Sequence, residues 1–397
     1  MVFSIPESGQ SDKWTGTLNK LSRLSFIVVS HIAFTGHAQE LRNFLIRHVE
    51  QLVFIGHPFS YAPNKTSFAQ FYRKGTLKTE VHTPYIKTSD FILYLKDFLM
   101  TFFFTFKLKK KFHVYVGVDP LNALAGLILK RLGFTQIVIF YVIDYIPVRF
   151  KNVFLNNIYR AMDRLCVYNA DYTWNLTDAM TYARQKAGIF TECTNQVTVP
   201  TGTHPKEIKD NSLVVSVHNM VFLSHLRKGQ GIELVLDALP QVVQEIPDFK
   251  LLVLGTGPLE TYFKKELIKR NMVDNVELLG YIESHDRIEE IVALCRAGIA
   301  PYEPDSHSFT WFADPGKPKV YLGCGVPVII TKVPEVASEI SRRNAGIVID
   351  YDSQELANSM ITIIKNDELY EKYRHNAFKF ALELDWNVVF TRALSVL

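Results

Sequence analysis

The sequence has few cysteines, four in 397 residues, and no two of them form a Cys-x-x-Cys pair. They are Cys166, Cys193, Cys295 and Cys324. This spacing argues against a cysteine zinc site and a disulfide framework, and it is typical of a reducing compartment. The polar N-terminus carries Glu7 and Asp12 before any apolar run, which does not fit a secretory signal. We therefore expect a cytoplasmic protein.

A large excess of charge of one sign is also missing. The formal net charge is +4, which is too small for a chain of 397 residues to indicate nucleic-acid binding. The composition is 48% hydrophobic and 21% charged, as in ordinary globular proteins, and the sequence has no low-complexity tract or short-period repeat. We expect an ordered protein without a nucleic-acid partner.

The apolar segment 91–106 is too interrupted to span a membrane. Lys96 and Asp97 break it, and the uninterrupted part, residues 98–106, is about half of the ~20 residues that a spanning helix needs. It runs into four lysines among residues 107–111. Aromatic residues joined to such a cluster, from Phe98 to Lys111, can lie in the interface of an anionic membrane on the inner face. A buried helix that ends in solvated lysines fits the same pattern.

Strand and helix patterns alternate along the first half of the chain, and the length suggests two domains of roughly 200 residues each. Apolar, β-branched runs predict strands at residues 26–30, 52–55, 114–117 and 137–143. Helical spacing at residues 38–48 follows the first strand. A helical or loop segment follows each strand, as a parallel sheet requires. We expect a Rossmann-like domain here.

A cluster of breakers at residues 200–205 separates the two halves, and the alternation then restarts. Strands are predicted at 213–217, 249–254, 276–279, 297–300 and 326–330. Helices are predicted at 231–245, 259–271, 353–365, 369–384 and from 385 to the C-terminus. We therefore predict an α/β protein with two Rossmann-like doubly wound domains facing a cleft. They cover residues 1–203 and 204–384, and a C-terminal helix over 385–397 packs back on the N-terminal domain.

Three segments of the second half place glycines and cations at predicted strand ends. The longest runs from Asp314 to Thr331, with a Pro-Gly-Lys loop, a helical run, a Cys-Gly-Val-Pro turn and a strand. The others are residues 226–231, Leu-Arg-Lys-Gly-Gln-Gly, and residues 254–259, Leu-Gly-Thr-Gly-Pro-Leu. Each of the two shorter segments, taken alone, could be an ordinary turn. Together, at one edge of a parallel sheet, these groups fit an anionic ligand such as a nucleotide diphosphate.

These motifs resemble the retaining family 4 glycosyltransferases of the GT-B fold, over nearly the whole chain from about Phe26. In the second half the resemblance lies in residues 255–258 (Gly-Thr-Gly-Pro), 276–282 (Val-Glu-Leu-Leu-Gly-Tyr-Ile) and 324–329 (Cys-Gly-Val-Pro-Val-Ile), with 199–203 as the interdomain segment. Residues 119–126 and 170–177 look like bacterial members that build surface polysaccharides. The resemblance implies transfer of a sugar from a UDP- or GDP-linked donor to a lipid-linked or saccharide acceptor. Retention of configuration is implied, with no bound metal and no cofactor.

The resemblance also implies residue roles on the donor side. Lys228 with Arg227 would hold the diphosphate, Lys317 with Gly316 would line the phosphate and sugar region, and Tyr281 with Ile282 would border the base. Lys228 and Lys317 would then neutralise the negative charge that develops on the leaving group. Further donor-side positions are Gly36, His225, Gly229, Gly255, Gly257 and Asp314.

On the acceptor side, Asp119 falls where the family often places a histidine or an acid near the attacking hydroxyl. It is a candidate base, and a structural cap of the following helix is the alternative. Strand-end loops supply the remaining acceptor-side candidates, which are His31, His37, Asp144 and Tyr145.

Two positions depart from the family pattern. Its paired glutamates should fall at Phe312 and Val320, and neither is acidic. Asp314 or Glu303 could supply the missing carboxylate. At Ser224-His225 the family usually has glycine and arginine, and histidine carries a weaker, pH-dependent charge.

The missing acid pair keeps two other functions open. One is a catalytically silent partner subunit that binds nucleotide or lipid, and the other is a nucleotide-sugar epimerase of the same architecture. Asp350-Tyr351-Asp352 matches a metal-binding acid pair of other glycosyltransferases, but residues 352–355 fit a helix capping box better. Trp174 and Trp386 lie in apolar periodic contexts, so we expect both to anchor the core.

Overall fold

A computed structural model describes residues 11–32, 36–59, 61–62, 66–84, 89–206, 216–304 and 309–397. The chain forms two compact units. The N-terminal unit comprises the described residues up to 200 together with 389–397, and the C-terminal unit comprises those from 201 to 388. The chain passes from one unit to the other within the predicted cluster of breakers at 200–205.

The N-terminal unit alternates strands and helices, with a hairpin inserted after its second strand. Its strands are β1 (Ser25–Ile32), β2 (Gln51–Pro58), β3 (Phe68–Arg73), β4 (Thr76–His82), β5 (Phe112–Val118), β6 (Thr135–Val142), β7 (Tyr172–Asn175) and β8 (Gln196–Thr198). Its helices are α1 (Ser11–Leu21), α2 (His37–His48), α3 (Asp90–Lys107), α4 (Pro120–Arg131), α5 (Val153–Asn169) and α6 (Asp178–Lys186).

These strands form one sheet in the order β4-β3-β2-β1-β5-β6-β7-β8. All neighbours pair in parallel except β2 with β3 and β3 with β4, which are antiparallel. The central strand β1 is buried from Phe26 to Val29, which explains its β-branched, apolar sequence. The chain winds to opposite sides of the sheet from β1 and β5, so the topological switch point lies between them.

The C-terminal unit repeats the same architecture with a wholly parallel sheet. Its strands are β9 (Ser216–Leu223), β10 (Lys250–Leu254), β11 (Val276–Gly280), β12 (Cys295–Ala300), β13 (Val328–Thr331) and β14 (Gly346–Ile349). Its helices are α7 (Ile232–Glu245), α8 (Glu260–Lys269), α9 (His285–Ala293), α10 (Gly316–Gly323), α11 (Val336–Arg342), α12 (Ser353–Lys365) and α13 (Asp367–Glu383), and α14 (Trp386–Leu394) follows.

The second sheet has the order β11-β10-β9-β12-β13-β14, which puts its switch point between β9 and β12. The predicted strand at 213–217 was placed too early, because β9 runs from Ser216 to Leu223. Residues 213–215 lie outside the described residues. The prediction of two doubly wound α/β domains is confirmed.

Helix α14 begins in the C-terminal unit and ends in the N-terminal unit. Its Phe390 is fully buried and lies 5.7 Å, ring centre to ring centre, from Phe44 of α2. The end of the chain thus packs on the N-terminal unit. Among the residues described, no helix is both long enough and apolar enough to cross a membrane.

Candidate functional site

Three loops meet at the carboxyl edge of the C-terminal sheet, around its switch point. The loop after β9 is joined to the loop after β10, because Leu226 N donates to the Thr256 carbonyl at 2.9 Å. It is joined to the end of β12 by Glu303 N, which donates to the Gly229 carbonyl at 3.3 Å. The start of α10 reaches it through Lys317, whose ammonium donates to Oε1 of Gln230. The structure therefore brings together the three motif segments of the second half.

The glycines after β10 let the two loops touch. A Cβ atom at Gly255, where φ is +129°, would lie 1.9 Å from the Ser224 carbonyl oxygen. A Cβ at Gly257 would lie 2.4 Å from the oxygen of Leu226. Contacts this short cannot be made by real side chains, so glycine is required at both positions by packing between the loops.

Arg227 and Lys228 are exposed cations in the loop that precedes α7. Neither has a carboxylate partner among the described residues, whereas many lysines and arginines of the same unit are ion-paired. His225 is exposed beside them. Helix α7 begins directly after this loop, and its first backbone N–H groups face the same edge. The loop therefore offers positive charge and free amide donors to an anion.

Lys317 differs from these two cations because it is partly buried. Desolvation, with a smaller contribution from the nearby charge of Arg227, lowers its pKa to about 7. A partly buried, partly neutral ammonium beside free cations is stabilised in its charged form when an anion binds. The predicted partner Gly316 is exposed at the first position of α10, with open space where a Cβ would lie.

Tyr321 fixes helix α10 on the sheet at the switch point. Its hydroxyl accepts a hydrogen bond from Leu223 N at 2.8 Å and donates to the Ile299 carbonyl at 3.2 Å. Its ring lies over Gly298, where a Cβ would approach the ring to 2.3 Å. One side chain therefore links the ends of β9 and β12 to the helix that carries Lys317.

Asp314 is buried and engaged in internal contacts, unlike the exposed residues of the site. Its Oδ2 accepts from Thr201 N at 2.7 Å, and its Oδ1 lies 3.2 Å from the Lys319 ammonium. Burial raises the pKa of this carboxyl, and Lys319 opposes the rise. The sequence pattern placed Asp314 at the donor, but these contacts make it a residue that holds the loop before α10. Glu303 is half-buried at the end of β12 and has no ion-pair partner among the described residues.

The remaining donor-side positions of the C-terminal unit lie around this edge. Tyr281 follows β11 and is 71% exposed, while Ile282 packs partly against the apolar core. Val320, which stands where the family has an acid, packs against the same core from α10. Gly36 belongs to the N-terminal unit, where it precedes α2 with extended backbone and an open position for a Cβ.

Asp119 lies at the carboxyl end of β5, beside the switch point of the N-terminal sheet. Its φ of 70° is unusual for a residue other than glycine and indicates backbone strain of the kind that concentrates at functional sites. It occupies the N-cap position of α4, yet its side chain accepts no capping hydrogen bond. Burial raises the pKa of its carboxyl to about 6, opposed by Arg149. The side chain of Asp119 therefore does not cap α4.

A buried polar cluster near Asp119 was missed by the sequence analysis. His31 of β1 and His57 of β2 are register partners, and each imidazole has a nitrogen 3.6 Å from a carboxylate oxygen of Asp97 in α3. Asp97 also accepts from Ser67 at 2.8 Å and lies 2.9 Å from the Lys96 ammonium. His31, His57 and Asp97 are far apart in sequence, and Asp97 was noticed only because it interrupts an apolar run. No sequence motif therefore connects the three residues.

Hydrogen bonds link this cluster to the turn that carries Asp119. The amide of Asn122 in α4 lies 3.2 Å from His31 Nδ1 and donates to the Val118 carbonyl at 2.7 Å. His57 Nε2 lies 2.9 Å from the Thr101 hydroxyl. Lys96 already supplies a cation to Asp97, and no metal-binding group of three or more His, Cys, Asp or Glu residues is present in the part of the chain that the structure describes.

The other acceptor-side candidates are held by neighbours. His37 begins α2, and burial lowers its pKa to about 4 against the opposing charge of Glu40. Asp144 pairs with Arg149 at 3.0 Å. Tyr145 is buried with its ring 4.3 Å from the Arg184 guanidinium carbon, so it belongs to the core rather than to an open surface.

The acid pair that resembles a metal motif lies at the start of α12. Oδ1 of Asp352 accepts from Glu355 N at 2.9 Å, and Oε2 of Glu355 accepts from Asp350 N at 2.8 Å. The predicted N-cap is confirmed, although Glu355 reaches back to residue 350 and not to the cap residue. Trp174 and Trp386 are both buried, as expected of core anchors.

Comparison with known proteins places this architecture and this edge in context. Residues 217–366 match the family described as Glycosyl transferases group 1. The chitobiosyldiphosphodolichol beta-mannosyltransferase of Debaryomyces hansenii is 26% identical over 152 residues, which are 36% of this chain. The chain thus spans only 31% of that relative's length.

Two solved structures share the whole fold at low sequence identity. Sucrose-phosphate synthase from Thermosynechococcus elongatus is similar with a TM-score of 0.67 and 14% identity, covering 94% of this chain and 98% of that one. Anabaena HepE in complex with UDP and glucose is similar with a TM-score of 0.64 and 15% identity. The match covers 94% of this chain and 100% of that one. The chain therefore has the GT-B fold with two Rossmann-like domains, and residues 217–366 of its C-terminal unit are similar in sequence to the group 1 glycosyl transferases.

Proposed function

We propose that the chain is a glycosyltransferase that moves a sugar from a UDP- or GDP-sugar to a lipid-linked or saccharide acceptor. The donor binds the C-terminal unit and the acceptor binds the N-terminal unit. The observation that carries the proposal is that the exposed Arg227 and Lys228, which have no carboxylate partner in the described part of the chain, meet the partly buried ammonium of Lys317 at one switch point. Such an edge suits a diphosphate because cations and helix N-terminal amides stabilise its charge.

The comparisons support this proposal. The matched family consists of glycosyl transferases and covers the segment that contains the cationic loop and Lys317. The Anabaena protein of the same fold binds UDP and glucose, and the name of the Debaryomyces relative specifies a lipid-linked acceptor. We also propose a role in cell-surface polysaccharide synthesis, because residues 119–126 and 170–177 look like bacterial glycosyltransferases that build surface polysaccharides.

The donor-side residues would act on the leaving group. As the bond between the anomeric carbon and the phosphate oxygen breaks, negative charge grows on the nucleoside diphosphate and positive charge on the sugar. Lys228 and Lys317 would stabilise the former, which is the main requirement of this step. Glu303, rather than the buried Asp314, would supply a carboxylate to the sugar or the ribose.

On the acceptor side, Asp119 would orient the attacking hydroxyl and is the candidate base. We propose retention of configuration, in which the hydroxyl attacks on the face of the departing diphosphate. The proton then passes either to Asp119 or to the leaving phosphate oxygen. The hydrolysed or transferred sugar's anomeric configuration, read by NMR at early time points, tests retention directly. Inversion would assign the proton to Asp119 alone.

We also propose that the chain attaches to an anionic membrane surface through residues 98–111. The apolar side chains of α3 form an exposed stripe along the helix, which consists of Phe91, Leu95, Leu99, Phe103 and Phe106. Lysines at 107 and 109–111 continue it, and each cation near such a surface contributes about 1 kcal/mol. Replacing Lys109, Lys110 and Lys111 by glutamine should release the protein from membranes in fractionation without detergent.

Incubation with labelled UDP- and GDP-sugars and a membrane lipid extract tests the function. Transfer of label to lipid or saccharide supports the proposal. An isomerised donor without transfer identifies an epimerase, and an unchanged donor identifies a silent subunit. The catalytically silent subunit is kept as a second candidate function because the apolar residues Phe312 and Val320 stand where the family has its paired acids.

A further inference from the structure

The segment that joins β6 to α5 exposes apolar side chains which the sequence analysis did not single out. Val153 and Phe154 keep 74% and 71% of their surface exposed at the start of α5. The other exposed apolar residues of the segment are Val148, Phe150, Leu155 and Ile158. Inward-facing residues of the same helix, such as Tyr159, are buried. We call residues 148–158 the β6–α5 segment.

The charges around the β6–α5 segment are positive. Lys151, Arg160 and Arg164 are exposed and have no carboxylate partner among the described residues. Of the carboxylates nearby, Asp144 pairs with Arg149, Asp163 is buried against Arg184, and burial raises the pKa of Asp119. The segment thus presents apolar side chains framed by uncompensated cations.

This combination decides between two occupants. A second copy of the same face would bring like charges together, which opposes association. An anionic lipid interface accepts apolar side chains in its acyl boundary and attracts the cations around them. A patch of apolar side chains that no partner covers stays in contact with water, which is unfavourable.

The β6–α5 segment and α3 both adjoin the carboxyl edge of the N-terminal sheet. The segment follows β6, whose Tyr141 carbonyl accepts from Asp119 N at 3.0 Å. Tyr94 of α3 lies 5.1 Å, ring centre to ring centre, from His31. The two exposed apolar elements therefore flank the carboxyl edge of the N-terminal sheet, near Asp119.

We infer that the β6–α5 segment inserts into the interface of an anionic membrane as a second contact, in addition to α3. The inference deepens the proposed membrane attachment and rests on it. It implies that the acceptor is presented from the lipid surface, since the contact elements adjoin the acceptor-side edge.

Vesicle co-sedimentation of the full chain tests this inference without any substrate. Vesicles of phosphatidylglycerol and phosphatidylcholine are compared with vesicles of phosphatidylcholine alone. The double variant Val153→Ser, Phe154→Ser should reduce partition onto the anionic vesicles about tenfold, as expected for losing two partly inserted apolar side chains. A matched control is Ile268→Ser, Val273→Ser, which removes two comparably exposed residues of the C-terminal unit and should leave partition unchanged.

Circular dichroism and the thermal shift with UDP show whether each variant is folded. Wild-type partition by the Val153, Phe154 variant, or equal binding of wild type to neutral vesicles, overturns the inference. A change from dimer to monomer in sedimentation velocity with unaltered vesicle binding assigns the face to a second copy and overturns it too. If sugar transfer fails while anionic vesicle binding depends on Phe154, the catalytic proposal fails and this one stands.

Discussion

The ammonium of Lys317 donates a hydrogen bond to Gln230 and lies 5.9 Å from the centre of the Tyr302 ring. Desolvation among these uncharged neighbours lowers the pKa of Lys317, and the like charge of Arg227 adds to that effect. The pKa of Lys317 is about 7 for these reasons, so a diphosphate would find the lysine only partly protonated at neutral pH.

Donor affinity should therefore depend on pH. We expect a UDP-sugar, whose diphosphate does not titrate near neutrality, to bind more weakly by up to about tenfold per pH unit above 7, because binding then requires proton uptake. Isothermal titration calorimetry in buffers of different ionisation enthalpy measures that uptake. Lys317→Arg should bind with a flatter pH profile, and a flat profile for the wild type would contradict the assignment.

Lys228→Ala should abolish the thermal shift that UDP or GDP produces, because the diphosphate loses an exposed and otherwise unpaired cation. Lys264→Ala is the matched control, since Lys264 belongs to the same unit but is paired with Glu260 at 2.7 Å. An unchanged shift in the Lys228 variant would place the diphosphate elsewhere.

Asp119→Asn should lower the rate of sugar transfer by about 10² to 10⁴, the usual contribution of a positioned base, while the UDP thermal shift stays the same. Asparagine tolerates the positive φ of this position, so the fold should survive. Wild-type activity should rise with pH through about 6, as the carboxyl loses its proton, and the variant should lack that rise. Asp90→Asn, at an exposed position, serves as the control; full activity in the Asp119 variant would remove the residue from the mechanism.

The buried pair His57 and Asp97 should make the N-terminal unit sensitive to acid. Burial, with the charge of His31, lowers the pKa of His57 from 6.5 to about 3, so the unfolded chain binds a proton that the folded chain does not. Stability should therefore fall as pH drops from about 6.5 towards 3. Asp97, whose folded pKa is lowered by His31, His57 and Lys96 despite burial, loses its contribution at the acid end of the same range.

Urea unfolding at successive pH values measures this loss. The variant His57→Gln should show a flatter dependence between pH 6.5 and 4, whereas His285→Gln, at an exposed position, should follow the wild type. Parallel curves for His57→Gln and wild type would show that His57 is not the responsible group.

Much of the C-terminal unit could be predicted from sequence, because its strands are short, apolar and bounded by glycine and proline. Predicted helices at 353–365 and 231–245 agree with α12 and α7 within a residue. The hairpin β3–β4 was missed. Its residues are partly or wholly exposed, so their sequence lacks the apolar run by which the buried parallel strands were recognised.

The candidate sites were predictable only where the residues are contiguous. The loop with Arg227 and Lys228 carries its own pattern, and the strand end with Asp119 follows from β5. The cluster of His31, His57 and Asp97 depends on the register of β1 with β2 and on how α3 packs, which no local pattern encodes. Similarly, the sequence could not show that Asp314 is held by Thr201 and Lys319, while Glu303 has no ion-pair partner among the residues that the structure describes.

The hydroxyl of Tyr321 contacts both central strands of the C-terminal sheet one helical turn after Lys317. The position of Lys317 is thereby fixed by contacts of its helix with backbone atoms of the sheet, and not by the loop that precedes α10. Substitutions within residues 309–315 should then leave Lys317 in place, so that the loop before α10 can change while the positive charge at this sheet edge is preserved.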